Sequence, residues 1–124
     1  MSFTNNNGIV QISDDVLVAI VQTATMEIDG VHSINSTLAS EIIGKFGKKT
    51  TSKGINIFSD ENKLTININL SIKQNYKILD VAQNIQNKVK TAIENMTGLE
   101  IDKININVAS IETDKNKNTD KKED

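Results

Sequence analysis

The chain has 124 residues and a net charge of −2; it contains no cysteine, and all fourteen of its basic residues are lysine. Without cysteine there are no disulfides and no thiolate metal ligands. Without arginine the chain lacks the forked donor that makes bidentate phosphate and base contacts. The longest unbroken apolar run, Val16–Val21, has six residues against the roughly 20 that cross a bilayer. No signal segment is visible, so the expected location is cytoplasmic.

Taken in chain order, residues 1–7 (MSFTNNN) have no apolar period and are expected to be disordered. The stretch 8–112 is expected to form a single domain of about 105 residues, enough to bury about two-thirds of the unfolded chain's surface. Nineteen isoleucines supply most of its core. GIVQIS, Gly8–Ser13, reads as a short strand. Ser13 is then an N-cap, with Asp14 and Asp15 in the first turn where the helix dipole favours negative charge. Val16, Leu17, Ile20, Val21, Ala24 and Ile28 fall at helical spacing, and Gly30 ends the helix. Val31–Ile34 reads as a second short strand. Ser36–Gly47 reads as a short amphipathic helix carrying Leu38, Ile42, Ile43 and Phe46, weakened by Gly44.

The segments GINIFS and KLTININLSI give the clearest strands, joined by a hairpin loop over Ser59–Lys63. In the second, Leu64, Ile66, Ile68, Leu70 and Ile72 alternate with Thr65, Asn67, Asn69 and Ser71, the period of a sheet with one buried face. A long helix follows over Ile78–Thr97, with Ile78, Val81, Ala82, Ile85, Val89, Ala92, Ile93 and Met96 on one stripe. Gly98 supplies a left-handed cap and Leu99 folds back onto the helix. The last strand turns Ile104, Ile106 and Val108 inward; the phase slips at Ala109 and Ile111, which points to a bulge or the strand's end. The tail 113–124 alternates charge sign and is expected to be disordered. The order β-α-β-(α)-β-β-α-β predicts an α+β fold, a two-layer sandwich with helices on one face of a mostly antiparallel sheet. The other face then carries Asn56, Thr65, Asn67, Asn69, Ser71, Asn105 and Asn107, polar and almost uncharged, covered by water or by another subunit.

Candidate chemistry is sparse. His32 is the lone histidine, and no sequence signature singles out a partner for it, so it reads as a structural or surface residue. Asp14 and Asp15, as neighbours in a first turn, point in different directions and suit capping. GKFGKKT, Gly44–Thr50, fails as a phosphate loop: Ile42 stands where the first glycine belongs and Lys49 where Ser or Thr belongs. Lys45, Lys48, Lys49 and Lys53 remain as a basic loop, solvated or in contact with lipid head groups or an acidic partner. One histidine makes no zinc site, and Ser59–Lys63 lacks the spacing of a calcium loop. Nucleic-acid binding through the sheet wants exposed aromatics; near the strands lie only Tyr76 and Phe58, the latter read as core. No catalytic, cofactor-binding or metal residues are expected, no cofactor, no nucleic-acid partner, and no enzyme activity.

An ordered set of short blocks gives a further handle. The first is Glu27–Ile28–Asp29–Gly30–Val31, followed by Phe46–Gly47–Lys48–Lys49 and Lys53–Gly54. Then come Val81–Ala82, Ile85–Gln86, Val89–Lys90, Met96–Thr97–Gly98–Leu99 and Ile104–Asn105–Ile106–Asn107–Val108. In this order and spacing they resemble the alkaline shock protein family, the Gls-type general stress proteins of Gram-positive bacteria, over nearly all of Gly8–Ile111. The chain departs from the family's usual Glu-Tyr-Gly at Lys73–Gln74–Asn75, and from a proline common at the helix start at Leu79. The resemblance implies a non-catalytic cytoplasmic protein that self-associates and is recruited to the membrane through an integral-membrane partner in support of the envelope under stress. Another branch of the family is associated with acetyl-CoA carboxylase and fatty-acid synthesis. The resemblance carries over no catalytic residues.

Overall fold

The computed structural model describes residues 1–35 and 48–113, the segment 48–52 by its backbone alone. In chain order the elements are β1 (Ser2–Asn5), β2 (Gly8–Gln11), α1 (Asp14–Met26), β3 (Val31–Ile34), β4 (Lys48–Ser52), β5 (Ile55–Asp60), β6 (Lys63–Lys73), α2 (Ile78–Thr97) and β7 (Glu100–Glu112). The helix expected over Ser36–Gly47 and the tail from Asp114 onward lie outside the described residues.

β6 organises a five-stranded sheet because both of its edges are occupied. β7 runs parallel along one edge, from Lys63↔Glu100 to Lys73↔Glu112. β5 and β3 share the other edge end to end, both antiparallel: β5 pairs with Lys63–Ile68, and β3 with Leu70–Ile72. Asn69 bridges the junction, donating to the Gly54 carbonyl at 3.0 Å and accepting from the Asn35 N–H at 2.8 Å. β4 pairs antiparallel with β5 and forms the far side of the sheet. Parallel neighbours need a crossover, and α2 supplies it between β6 and β7.

The alternation read in β6 is realised: Leu64, Ile66, Ile68, Leu70 and Ile72 are each fully buried under the helices. Against them pack Leu17, Val18, Ile20, Val21 and Ala24 of α1 and Val81, Ile85, Val89 and Ile93 of α2. Complete burial of one such side chain contributes about 1.5–3 kcal/mol, so this layer is the main source of stability. Ser13 caps α1 as expected, its hydroxyl accepting from the Asp15 N–H at 3.1 Å. Gly98 closes α2 in the left-handed conformation (φ 81°), and Leu99 is buried beneath it. The slip expected at Ala109 is a bulge, since Leu70 pairs with Val108 and Ser71 with Ser110.

Several expectations are corrected. Residues 1–7 are not featureless: β1 and β2 form an antiparallel hairpin in which Phe3 is 5% exposed. One buried aromatic anchors a segment that has no period to read. β4 occupies part of the stretch expected to be a lysine-bearing loop. It turns into β5 through Lys53–Gly54, both at positive φ (48° and 82°), the backbone of a tight hairpin turn. The loop expected over Ser59–Lys63 contracts to Glu61–Asn62, because β5 continues to Asp60 opposite Lys63. Phe58 is not in the core; Ile57 takes the inward position, so strand alternation turns Phe58 to the opposite face beside Thr65. Val16, Ile78 and Met96 sit at helix ends where the apolar stripe overruns the layer beneath, and they are exposed by 47%, 41% and 69%.

Gly30 does more than follow a helix. Helix α1 stops at Met26, and Gly30 stands at the entrance to β3 with φ 101°. A Cβ there would lie 2.8 Å from both the Tyr76 ring and the Val81 side chain, and the Gly30 carbonyl accepts from the Lys73 N–H. The glycine lets α2's entry pack flat on the chain.

In chemical denaturation, Ile68→Ala is expected to lose about 2–5 kcal/mol of stability. Asn67→Ala, on the other face, is expected to lose about 1 kcal/mol or less; equal effects would mean that the sheet's faces are assigned wrongly. Gly30→Ala combines an unfavourable φ with overpacking and is expected to lose roughly 2–4 kcal/mol, while Gly98→Ala, which meets nothing within 4 Å, is expected to lose less.

Candidate functional site

The face of the sheet away from the helices is a ladder of small polar side chains. Parallel, in-register pairing of β6 with β7 sets like beside like: Asn67 beside Asn105, Asn69 beside Asn107, and Ser71 beside Ser110. Such alignment lets side-chain amides hydrogen-bond along the pairing direction. Asn105 Nδ2 donates to Asn67 Oδ1 at 2.8 Å. Ser71 and Ser110 share a hydroxyl contact of 2.7 Å, and Asn35 Nδ2 reaches Ser71 Oγ at 3.0 Å. Asn56 extends the Asn67–Asn105 row onto β5; it is 7% exposed, and its Oδ1 has no hydrogen-bond partner among the described residues. The face is therefore amide-rich, with Lys103 its central charge beside Thr65.

The other candidates are dispersed. His32 is exposed, with Nδ1 3.2 Å from the hydroxyl of its neighbour Ser33. It is the extra residue where the β3–β6 register shifts between Val31 and Ser33, so the bulge turns it out of the ladder. Asp15 belongs to the α1 cap, and Asp14 lies 3.2 Å from the Met1 amino group at the end of the hairpin. Lys53 is exposed in the β4–β5 turn, and Lys45 lies outside the described residues. Asp60 and Glu61 are exposed at the β5–β6 turn, at the opposite end of β6 from His32. The structure does not bring these groups together. Among the described residues, no cluster of three or more His, Cys, Asp or Glu is arranged to hold a metal ion.

Two surfaces escaped the sequence reading. Between the outer sides of α1 and α2 runs a groove of about 380 Å³, floored by Ala19, Thr23, Ala24 and Ala92, with Met96 at one end. The Glu27–Lys88 ion pair, 2.9 Å, bridges the two helices beside it. The spacing of Ala19 with Thr23, and of Lys88, Ala92 and Met96, at intervals of four was the available signal. The second surface is the outer edge of β7. There Gln86 Nε2 donates to the Ile104 carbonyl at 2.9 Å, and the Glu94 carboxylate accepts from the Ile101 N–H at 3.4 Å. A hydrogen bond from Lys90, 2.8 Å, holds the Glu94 carboxyl below its ordinary range; burial pulls the other way, and the Ile101 N–H adds to the lowering. A lowered carboxyl stabilises the fold above its ordinary range, and that support fades as pH falls through the lowered value. This clasp ties the middle of α2 to β7.

Comparison with known proteins agrees with the architecture's reach along the chain. Residues 2–113 match the model of the alkaline shock protein 23 family, described as having a cell envelope-related function. The uncharacterized protein YqhY of Bacillus subtilis (strain 168) is 30% identical over 107 residues, 86% of this chain and 79% of that protein. The uncharacterized protein Spy1535 of Streptococcus pyogenes serotype M6 is 31% identical over 116 residues, 93% of this chain and 88% of that protein. YloU of Bacillus subtilis, also uncharacterized, is 24% identical over 106 residues, covering 84% and 88%. No solved structure matches significantly. With a matched span from the first hairpin to the end of β7, this chain belongs to the alkaline shock protein 23 family, whose function is related to the cell envelope.

Proposed function

We propose that the protein is a non-catalytic interaction module of the cell envelope, which self-associates and docks onto a membrane-associated partner. The observation that carries this reading is the distribution of large apolar side chains. With a continuous core already filled, Leu79 (82% exposed), Met96 (69%) and Ile9 (69%) are still left at the surface, the first two at opposite ends of α2 and the third on β2. Single exposed apolar residues are ordinary, but Met96 lines an apolar groove between the two helices, the kind of place where contact surfaces form.

Family membership supports placing that contact at the envelope. None of the described helices is long and apolar enough to cross a membrane, so the proposed attachment runs through a partner that does. The amide face offers many hydrogen-bonding groups and few charges, which suits contact with another protein surface better than with a polyanion.

The test is affinity capture from the native cell with the membrane fraction retained, alongside sedimentation of the purified chain over a range of concentrations. The expected result is co-purification of an integral-membrane protein and a sedimentation coefficient that rises with concentration. Recovery of acetyl-CoA carboxylase subunits in place of a membrane protein would move the assignment to a regulator of fatty-acid synthesis. A strict monomer absent from the membrane fraction would overturn the proposal.

A further inference from the structure

We infer that the outer edge of β7 is where this chain pairs with a second copy of itself, antiparallel, about a two-fold axis at Asn107. The inference rests on the self-association proposed above and adds the surface, the register and the symmetry.

β7 is thirteen residues long, and among the described residues no strand pairs with it other than β6. Proteins usually cover or charge such an edge. Here the covering is confined to one half. Glu94 reaches Ile101 and Gln86 reaches Ile104, so eight residues of helix run alongside three of strand. That agrees with rises of about 1.5 Å and 3.3 Å per residue. Continuing at the same pitch, the residue seven before Gln86 on that side of α2 is Leu79, which falls beside Asn107 and Val108. Leu79 is 82% exposed and Ile111 42%, while Ile106 and Val108 are half-buried. The stretch of edge without a polar clasp is thus the apolar stretch, which is the reverse of a protected edge.

Charge selects the occupant and the register. In ladder order the side chains on the amide face of β7 are Glu100, Lys103, Asn105, Asn107, Ser110 and Glu112, with Asp102 and Ala109 set aside by the register shifts. A two-fold axis at Asn107 places Lys103 opposite Glu112 of the partner subunit, twice by symmetry. It also places Asn105 opposite Ser110, Ile106 opposite Val108, and Ile104 opposite Ile111. An axis one step earlier, at Ile106, sets Glu100 against Glu112; an axis at Asn105 leaves Lys103 facing an asparagine. The Asn107 register is the long one that opposes unlike charges, and like charges directly opposite are unfavourable. It is also open sterically. α2 runs from Leu79 near the axis toward the Glu100 end, so the two copies of α2 diverge and meet at their first turns, where each Leu79 covers the other. The Ile104 carbonyl, with two lone pairs, keeps Gln86 while accepting a second donor.

The chain has no cysteine, which makes the axis directly testable. Directly opposed residues of an antiparallel pair have Cα atoms about 4.5–5.5 Å apart, inside the disulfide range of about 4.4–6.8 Å. Under mild oxidation of the full chain, Asn107→Cys is expected to give a covalent dimer on a non-reducing gel, while Asn67→Cys, one strand in on the same face, stays monomeric. In sedimentation, Lys103→Glu and Glu112→Lys are each expected to weaken the dimer about tenfold, and the double variant to restore it to within about threefold. If the chain dimerises but Asn107→Cys does not cross-link, or the double variant does not recover, the β7 edge is wrong and self-association stands. If the unmodified chain is monomeric at every concentration, both fall together.

Discussion

Hydrogen bonding along both edges of β6 is the constraint on which the rest of the molecule depends. β7 takes one edge over its full length, β5 and β3 divide the other, and β4 reaches the sheet only through β5. Because side chains alternate faces in every strand, the register against β6 decides which residues of four elements meet the helices. Ile55 and Ile57 are inward because they sit opposite Ile68 and Ile66; Ile104 is inward because it sits opposite Ile66 from the other side. A slip of one residue at β6 would turn isoleucines to solvent and asparagines into the core.

The parts of the fold that repeat were legible in the amino-acid order. The alternation over Leu64–Ile72, the stripe from Val81 to Ile93 and the Gly98–Leu99 cap each repeat a local rule often enough to be read without tertiary context. What was not legible depends on single contacts between distant segments. Phe3 makes a strand out of a run with no period, and the pairing of β4 with β5 makes a strand of KKTTS, which has no apolar alternation at all. Phe58 was misplaced because an aromatic beside isoleucines looks inward, whereas Ile57 fixes the parity of β5. On the candidate surfaces, the amide face was visible in the sequence because it is the complement of the buried alternation. The β7 edge was not visible, because it appears only once β7 is known to lie outermost and parallel to β6.

The chemistry of the molecule follows from the same geometry. His32, Asp14–Asp15 and Asp60–Glu61 occupy a bulge, a helix cap and a hairpin turn, three places where polar side chains serve the backbone or the solvent. The surfaces that remain are built from apolar and amide groups: the α1–α2 groove, the asparagine ladder, and the outer edge of β7. These are the surfaces on which the proposed interaction role rests, in a family whose function is related to the cell envelope.

The parallel ladder also carries a kinetic consequence. The β4–β5 and β5–β6 turns join near neighbours in the chain, but Thr65 must wait for Lys103, with the whole of α2 in between. Loop closure of that length is entropically slow compared with hairpin formation. The meander of β4, β5 and β6 therefore offers an early platform, and α2 and β7 arrive as one late unit clasped by Gln86 and Glu94. With no proline in the chain, prolyl isomerisation adds no slower step. The last strand to be laid down is also the outermost, so subunit pairing at that edge would be the natural continuation of folding.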